Sequence, residues 1–368
     1  MGSESTIAPS GAESYPTGHS PIRVMIVDDS LTVRAVLSRI IAPEPDMVIV
    51  GKTGSAENAL ADLARAPADV VLLDLEMPGM GGLDALPRIL AANGASQILV
   101  VSSLTEAGAE HTLAALSTGA ADTMLKPRSG EFDQTYRTAL LQRIRALGRR
   151  SRCEAGMLPP DEKPPLRARN NFNLPLELVG IGASTGGIHA LCVLLRHLPR
   201  QVDAPILVTQ HLPASFMQVF ARQLELASGR AAVVVDDRTP VEPGRIHIAP
   251  GHGHMILRSE GGRIVARTAA FKVASGCMPS VDPMFESMAD TVGPGALGVV
   301  LSGMGRDGSL GAEKLVQAGG NLVAQDEVSS SVWGMPRAIV EAGLASAVLR
   351  PENIALRIAA HAGEAAWK

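Results

Sequence analysis

Aromatic residues are scarce in this chain of 368, at 3%, and cysteines number three. A core with so few rings must be filled by Ala, Val, Leu and Ile, as in parallel sheets covered by helices. Cys153, Cys192 and Cys277 are odd in number and far apart, with no C-x-x-C pair. That excludes a disulfide framework and a zinc knuckle and suits a reducing compartment. Cys192 falls in a helical pattern and Cys277 in a Gly/Pro-rich loop, and neither is assigned chemistry. Charged residues reach only 19%, with a formal net charge of −4. So balanced a chain has no general attraction to phosphate backbones or anionic lipid, and nucleic acid is excluded as a default partner. Residues 1–20 lack the basic start and apolar core of a signal peptide, and no later apolar run approaches membrane-spanning length. The expectation is a cytoplasmic, monomeric protein with a disordered tail over residues 1–21 and no direct membrane insertion.

Hydrophobic residues, by contrast, make up 46%, and the length suits two domains of ordinary size. Ile22–Val27 is an apolar run broken only by Arg23. It ends in Asp28-Asp29-Ser30, before a helical pattern at Val33, Val36, Leu37, Ile40 and Ile41. Met47–Val50 precedes a helix near Ala56–Ala66, and Val70–Leu73 runs into Asp74 and the turn Met77-Pro78-Gly79. Strand Ile98–Val101 ends in Ser102-Ser103; helix Glu110–Thr118, strand Asp122–Leu125 and Lys126-Pro127 follow. This alternation predicts a doubly wound parallel sheet with its ligand site at the strands' carboxyl ends. Asp28, Asp29 and Asp74 would gather there and repel one another unless a hard cation joined them; an oxygen-only set suits Mg²⁺. With the charge neutralised, Asp74 can attack a phosphoryl donor while Lys126 and Ser102 hold the transferred oxygens. Each acid alone would read as a helix cap or a solvated turn, but three acids, a serine and a lysine recur at successive strand ends.

A helix over 137–150 follows, and then RRSRCEAGMLPPDEKPPLRARNNFNLP, rich in Arg and Pro and without periodicity, reads as a linker. Strands and helices alternate again from Leu176. Apolar Leu178, Val179 and Ile181 break at Gly182-Ala183-Ser184-Thr185-Gly186-Gly187, after which Ile188, Leu191, Leu194, Leu195 and Leu198 recur at helical spacing. Ser184 is thus placed at the apex of a strand–turn–helix, its Oγ beside the amides of a helix N-terminus. The turn satisfies G-x-S-x-G, the nucleophile elbow, and also resembles a loose dinucleotide-binding loop. A dinucleotide would require an acid ending the next strand, whereas Pro205–Gln210 ends in His211, which suits a serine hydrolase better. The bland alternative is a glycine-rich turn that only packs helix on sheet.

A serine needs a base, and the base needs a buried acid to fix its tautomer. His211 is best placed of nine histidines. His189 and His197 fall on the helix after Ser184, and His247, His252 and His254 have no carboxylate or Cys nearby to complete a metal site. For the acid, Ser302-Gly303-Met304-Gly305-Arg306-Asp307-Gly308 breaks directly after an apolar strand, and Asp307 is chosen, although it would serve equally as the cap of a helix at Ser309. The amides of Thr185 and Met304 are placed to donate to an oxyanion.

Residues 22–147 resemble a response-regulator receiver. On that resemblance Asp28 and Asp29 are the acid pair, Asp74 the phosphoacceptor within Asp74-Leu75-Glu76-Met77-Pro78-Gly79, Ser102 the switch hydroxyl and Lys126 the lysine before Pro127. Thr123 departs from the aromatic usual there. Residues 176–368 resemble the catalytic domain of the chemotaxis protein-glutamate methylesterase family. The motifs are Gly182–Gly187, Gln210-His211-Leu212-Pro213, Ile248-Ala249-Pro250-Gly251, Pro279-Ser280-Val281-Asp282-Pro283, Gly303–Gly308, Ala324-Gln325-Asp326-Glu327 and Trp333-Gly334-Met335-Pro336.

The resemblance implies an α/β protein of two doubly wound parallel sheets. A flavodoxin-like receiver (22–147) and a linker (148–175) would precede a Rossmann-like methylesterase domain (176–368). It implies a Ser184, His211, Asp307 triad hydrolysing glutamate γ-methyl esters, and deamidating certain glutamines, on methyl-accepting chemoreceptors. A histidine kinase would donate phosphate, with Mg²⁺ at the receiver and no cofactor in the esterase site. The alternative is a non-enzymatic response regulator whose second domain binds a partner or a nucleotide.

Overall fold

Short apolar strands alternate with helices through most of the described residues, and the two parallel sheets they form are covered by helices on both faces. The computed structural model describes residues 20–92, 96–102, 106–126, 133–154 and 174–365. Residues 1–19 of the expected tail, most of the expected linker and Pro127 lie outside these residues.

The first unit runs β1 (Ile22–Val27), α1 (Leu31–Ile41), β2 (Met47–Thr53), α2 (Ala56–Arg65), β3 (Val70–Leu73), α3 (Gly82–Ala92), β4 (Gln97–Ser102), α4 (Glu106–Thr118), β5 (Asp122–Leu125) and α5 (Gln134–Glu154). Its parallel sheet has the order β2-β1-β3-β4-β5. Strands β1 and β3 are buried almost throughout, as their unbroken apolar runs require. Ser30 and Ser55 cap α1 and α2, their hydroxyls accepting from Val33 N at 3.4 Å and Asn58 N at 3.3 Å. Helix α3 was not anticipated, because Pro87 lies inside it and breaks the sequence signal. Its first residue must be glycine: a Cβ on Gly82 would run into the Asp74 carbonyl. Helix α5 continues to Glu154, into the segment read as linker.

The second unit comprises β6 (Leu178–Ala183), α6 (Gly187–His197), β7 (Ile206–Gln210), α7 (Met217–Ser228), β8 (Ala232–Val234), β9 (Thr239–Pro240), β10 (Ile246–Ile248), β11 (His254–Glu260), β12 (Arg263–Ala269) and α8 (Val281–Thr291). It continues through β13 (Ala296–Val300), α9 (Ser309–Gln317), β14 (Asn321–Gln325), α10 (Met335–Glu341), β15 (Ala347–Leu349) and α11 (Pro351–Ala365). Seven parallel strands take the order β15-β14-β13-β6-β7-β10-β8. The stretches His254–Leu257 and Arg263–Arg267, whose apolar patterning predicts a hairpin, form antiparallel β11 and β12, joined by β9 in a small separate sheet. Helix α10 and edge strand β15 escaped the sequence reading, being too short to carry a period of their own.

Strand β6 lies between β13 and β7, where the strand order reverses, so the loops leaving three adjacent strands converge at one sheet edge. Helix α4 packs against α6 and α7, and one apolar cluster runs from Leu113 and Leu116 into Ile188, Leu191, Met217 and Phe220. Among the described residues no helix is long and apolar enough to cross a membrane.

Candidate active site and acidic receiver site

The turn after β6 is held by hydrogen bonds to the Ser184 backbone that fix its position. Ser184 N donates to Ser302 O at 3.0 Å, and Ser184 O accepts from Gly187 N at 2.8 Å and from Gln210 Nε2 at 3.0 Å. Gly186 takes the left-handed conformation, φ +74°, which a glycine adopts at no steric cost and which starts α6. Next door, His211 N donates to Ala183 O at 3.2 Å. The imidazole lies between the other two side chains: Nδ1 is 3.1 Å from Ser184 Oγ and Nε2 is 2.9 Å from Asp307 Oδ2. The two ring nitrogens are exchanged relative to the chymotrypsin arrangement, with the same proton logic.

Asp307 is 2% exposed. Its Oδ1 accepts from Ser280 Oγ at 2.6 Å and its Oδ2 from Val281 N at 2.7 Å. Burial alone would raise its pKa, but the His211 bond and these two donors outweigh it and lower it to about 2. Burial likewise opposes a charge on His211, yet the bond to Asp307 and the neighbouring Cys277 thiol raise its pKa to about 9. Neighbouring Asp282 is driven the other way, to about 6, by burial and by the Asp307 charge. A hydroxyl, an imidazole and a buried carboxylate in hydrogen-bonded series can carry the hydroxyl proton to the imidazole and stabilise the cation formed.

The three residues singled out in the sequence thus meet. Ser280, the Val281 amide and Cys277 were not singled out. Ser280 and Val281 belong to a motif noted only as a resemblance, and nothing in sequence spacing signals that the loop before it returns to His211. His254 is accounted for structurally: Nε2 donates to Phe271 O at 2.9 Å and Nδ1 accepts from Ser280 N at 3.0 Å. His247 is buried with Nε2 against Pro240 O at 3.1 Å. His189 Nδ1 reaches Ser117 O at 3.1 Å, so it ties α6 to α4.

The acids of the first unit also converge. One carboxylate oxygen from each of Asp28, Asp29 and Asp74 falls within a 4.8 Å set. Lys126 Nζ lies 2.6 Å from Asp74 Oδ2 and 3.0 Å from Asp28 Oδ2. Burial raises the Asp74 pKa against the pull of Lys126, with the Asp28 charge adding to it. Burial opposes the Lys126 charge, but Asp74 and Asp28 outweigh it and raise its pKa. Ser102 Oγ is buried without a hydrogen-bond partner among the described residues. An oxygen-only acid set beside a lysine and an unsatisfied hydroxyl fits a hard divalent cation and a transferred phosphoryl group.

The Ser184 site opens into a cavity walled by both units. About 250 Å³ in volume, it is lined by Asp122, Thr123, Tyr136 and Arg143 from the first unit and by Ser184, Gln210 and His211 from the second. Asp122 Oδ2 accepts from Thr185 Oγ1 at 2.8 Å and from Arg143 Nε at 3.1 Å. The first unit therefore stands over the crevice that holds Ser184.

Comparison with known proteins matches each unit separately. A family described as CheB methylesterase matches residues 179–358, and the response regulator receiver domain family matches residues 24–135. The protein-glutamate methylesterase/protein-glutamine glutaminase of Azospirillum brasilense is 38% identical over 384 residues, covering 98% of this chain and 97% of the relative. The enzyme of that name numbered 2 from Caulobacter vibrioides is 41% identical, covering 93% of this chain and 99% of its own. Among solved structures, the CheB methylesterase catalytic domain of Thermotoga maritima is 32% identical and covers 50% of this chain and 98% of that one, with a TM-score of 0.49. The family models and the two relatives support the enzymatic reading and not a non-enzymatic output domain. Identity of this order over nearly the full length of both partners, with both sites assembled, means that the chain belongs to the protein-glutamate methylesterase/protein-glutamine glutaminase family.

Proposed function

We propose that this protein is a phosphorylation-activated esterase that removes γ-methyl groups from glutamates of chemoreceptor helices in the cytoplasm, and deamidates some glutamines there. The hydrogen-bonded series Ser184–His211–Asp307 carries the reading. His211 takes the Ser184 proton as Oγ attacks the ester carbonyl. The Thr185 and Met304 amides donate to the oxyanion, and methanol leaves with the proton returned by His211. Water then repeats the sequence on the acyl-enzyme. Receiver residues 22–147 and catalytic residues 176–368 are the working parts, joined through 148–175.

Asp28, Asp29 and Asp74 would hold Mg²⁺, which supplies charge neutralisation at the phosphoryl group. Asp74 accepts the phosphoryl group from a histidine kinase, and Lys126 and Ser102 hold its oxygens. The Asp122–Thr185 contact and the shared cavity support a receiver that screens the crevice until it is phosphorylated. The test is methanol release from methylated chemoreceptor membranes with and without a small-molecule phosphodonor and Mg²⁺. Release should rise with phosphodonor in the wild type and stay at the unstimulated rate in Asp74→Ala; release that is absent throughout would overturn the esterase reading.

Two further outcomes follow from the geometry. Asp122→Ala removes the acceptor shared by Thr185 and Arg143. Losing about 1–2 kcal/mol of closure should raise the unstimulated rate roughly 5- to 30-fold and shrink the response to phosphodonor. An unchanged unstimulated rate would show that this bond does not hold the receiver down. The second concerns pH. His211 accepts a proton only when neutral, and its pKa is raised to about 9. Below that value the cation predominates, so kcat/KM should climb with pH toward about 9 and then level. A profile already flat above pH 7 would contradict a base held in that environment.

A further inference from the structure

The loop before α8 brings Cys277 back to the imidazole. One ring nitrogen of His211, Cys277 Sγ and one carboxylate oxygen of Asp307 lie within 4.8 Å of one another. We propose that these three side chains form a binding site for a zinc-class divalent ion, and that its occupation switches the esterase off. The second half of this inference rests on His211 being the base for Ser184.

The donor set decides the class of ion. Nitrogen, sulfur and carboxylate oxygen together suit zinc and its neighbours, whereas the Asp28, Asp29 and Asp74 oxygens suit a hard cation. Tetrahedral zinc, with Zn–S near 2.3 Å and Zn–N near 2.0–2.1 Å, keeps such donors about 3.3–3.6 Å apart, so a pair at the 4.8 Å limit closes by about 1.2–1.5 Å while the 2.9 Å His211–Asp307 pair opens slightly. Cys277 stands on open backbone, its amide donating to Ser275 Oγ at 3.3 Å and its thiol to Ser275 O at 3.9 Å. Its neighbour Gly276 has φ +70°, and nothing lies within 4 Å of where a Cβ on it would stand. Asp307 is already oriented by Ser280 Oγ and Val281 N, the outer bonds that fix a ligating carboxylate. His211 and Cys277 are each half-buried, so water can reach the donor set and fill a fourth position. Binding releases the thiol proton and one ring proton of the imidazolium to solvent, and so strengthens as pH rises.

The inhibition does not depend on which nitrogen is used. A metal on Nε2 leaves the ring proton on Nδ1, which then points at Ser184 Oγ as a donor and cannot accept. A metal on Nδ1 occupies the lone pair itself. In both cases Ser184 loses its base. The metal also withdraws Asp307 from the imidazole, so the site is exclusive of catalysis rather than an aid to it.

The test uses the full-length protein with Mg²⁺ in excess to fill the receiver acids. Added Co²⁺ should give a thiolate-to-metal charge-transfer band at one equivalent, displaced by Zn²⁺. Cys277→Ser and His211→Ala should each weaken Co²⁺ binding by at least about 100-fold, the upper end of the loss from removing even an outer-shell partner. Chelator-buffered Zn²⁺ should abolish methanol release in the wild type while Cys277→Ser holds its own zinc-free rate. A band that survives Cys277→Ser, or no band, overturns the site. A band that behaves as expected while zinc leaves methanol release unchanged overturns the switch. A band lost with Cys277→Ser in a protein that never releases methanol keeps the site and removes the esterase reading instead.

Discussion

Ser184→Ala should lower kcat for methanol release by about 10⁵- to 10⁶-fold, the scale of loss when the serine of another hydrolytic triad is removed. The size follows from how the parts depend on one another. The imidazole lies 3.1 Å from Ser184 Oγ and has no other hydroxyl to deprotonate in the series, so without Oγ neither His211 nor Asp307 has anything to act on. What survives is the contribution of substrate positioning and the amide donors. The turn itself should persist, because Ser184 is held by its backbone N and O and not by its side chain. Receptor binding and phosphorylation of Asp74 are therefore expected to be near wild type in this variant, which separates loss of chemistry from loss of fold. The same variant should no longer be labelled by a fluorophosphonate probe. Labelling that persisted would place the nucleophile elsewhere.

Replacing Asp307 should have the second-largest effect, and the replacement matters. Asp307→Ala should cost about 3 × 10⁴ in kcat, by analogy with the acid of another triad. It leaves His211 Nε2 unpaired, and it orphans Ser280 Oγ and the Val281 amide in a buried site. Asp307→Asn should cost distinctly less. The Val281 N–H at 2.7 Å from Oδ2 requires an acceptor there, so the amide turns its oxygen to that position and its nitrogen toward Ser280, whose hydroxyl can rotate to accept. The oxygen then still accepts from His211 Nε2–H, and Nδ1 still faces Ser184 as an acceptor. Only the charge is lost, and with it the raised His211 pKa. The expected signature is a pH limb displaced below about 9 along with a reduced kcat. Equal losses in the two variants would mean that the amide has turned the other way and fixed the wrong tautomer.

The periodic parts of the fold were legible because they are local. Strands β1, β3 and β6 are apolar runs with acids, serine or glycine at their ends, and parallel sheets place such ends at one edge by construction. The acids of the receiver and the Ser184 turn could be read from that rule, as could His211, which follows the very next strand. Helix α3 was lost because Pro87 masks its period, and α10 and β15 because they are short. Asp307 was readable as a strand-end acid, but not as the partner of His211 in preference to a helix cap, since both roles use the same residue type.

The sequence by itself determined two α/β units, the composition of their cores and the kinds of group offered at each sheet edge, because periodicity and strand-end chemistry are properties of neighbouring residues. Only the tertiary structure decided which distant groups touch. The reversal of strand order at β6 sets Ser184, His211 and Asp307 side by side. The packing of α4 on α6 and α7 lays Asp122 on Thr185. The path of the loop before α8 carries Cys277 to the imidazole. Each of these contacts joins residues whose separation along the chain has no period and no motif. They are fixed by how apolar faces pack, and that packing energy is shared over the whole core rather than written at any one position.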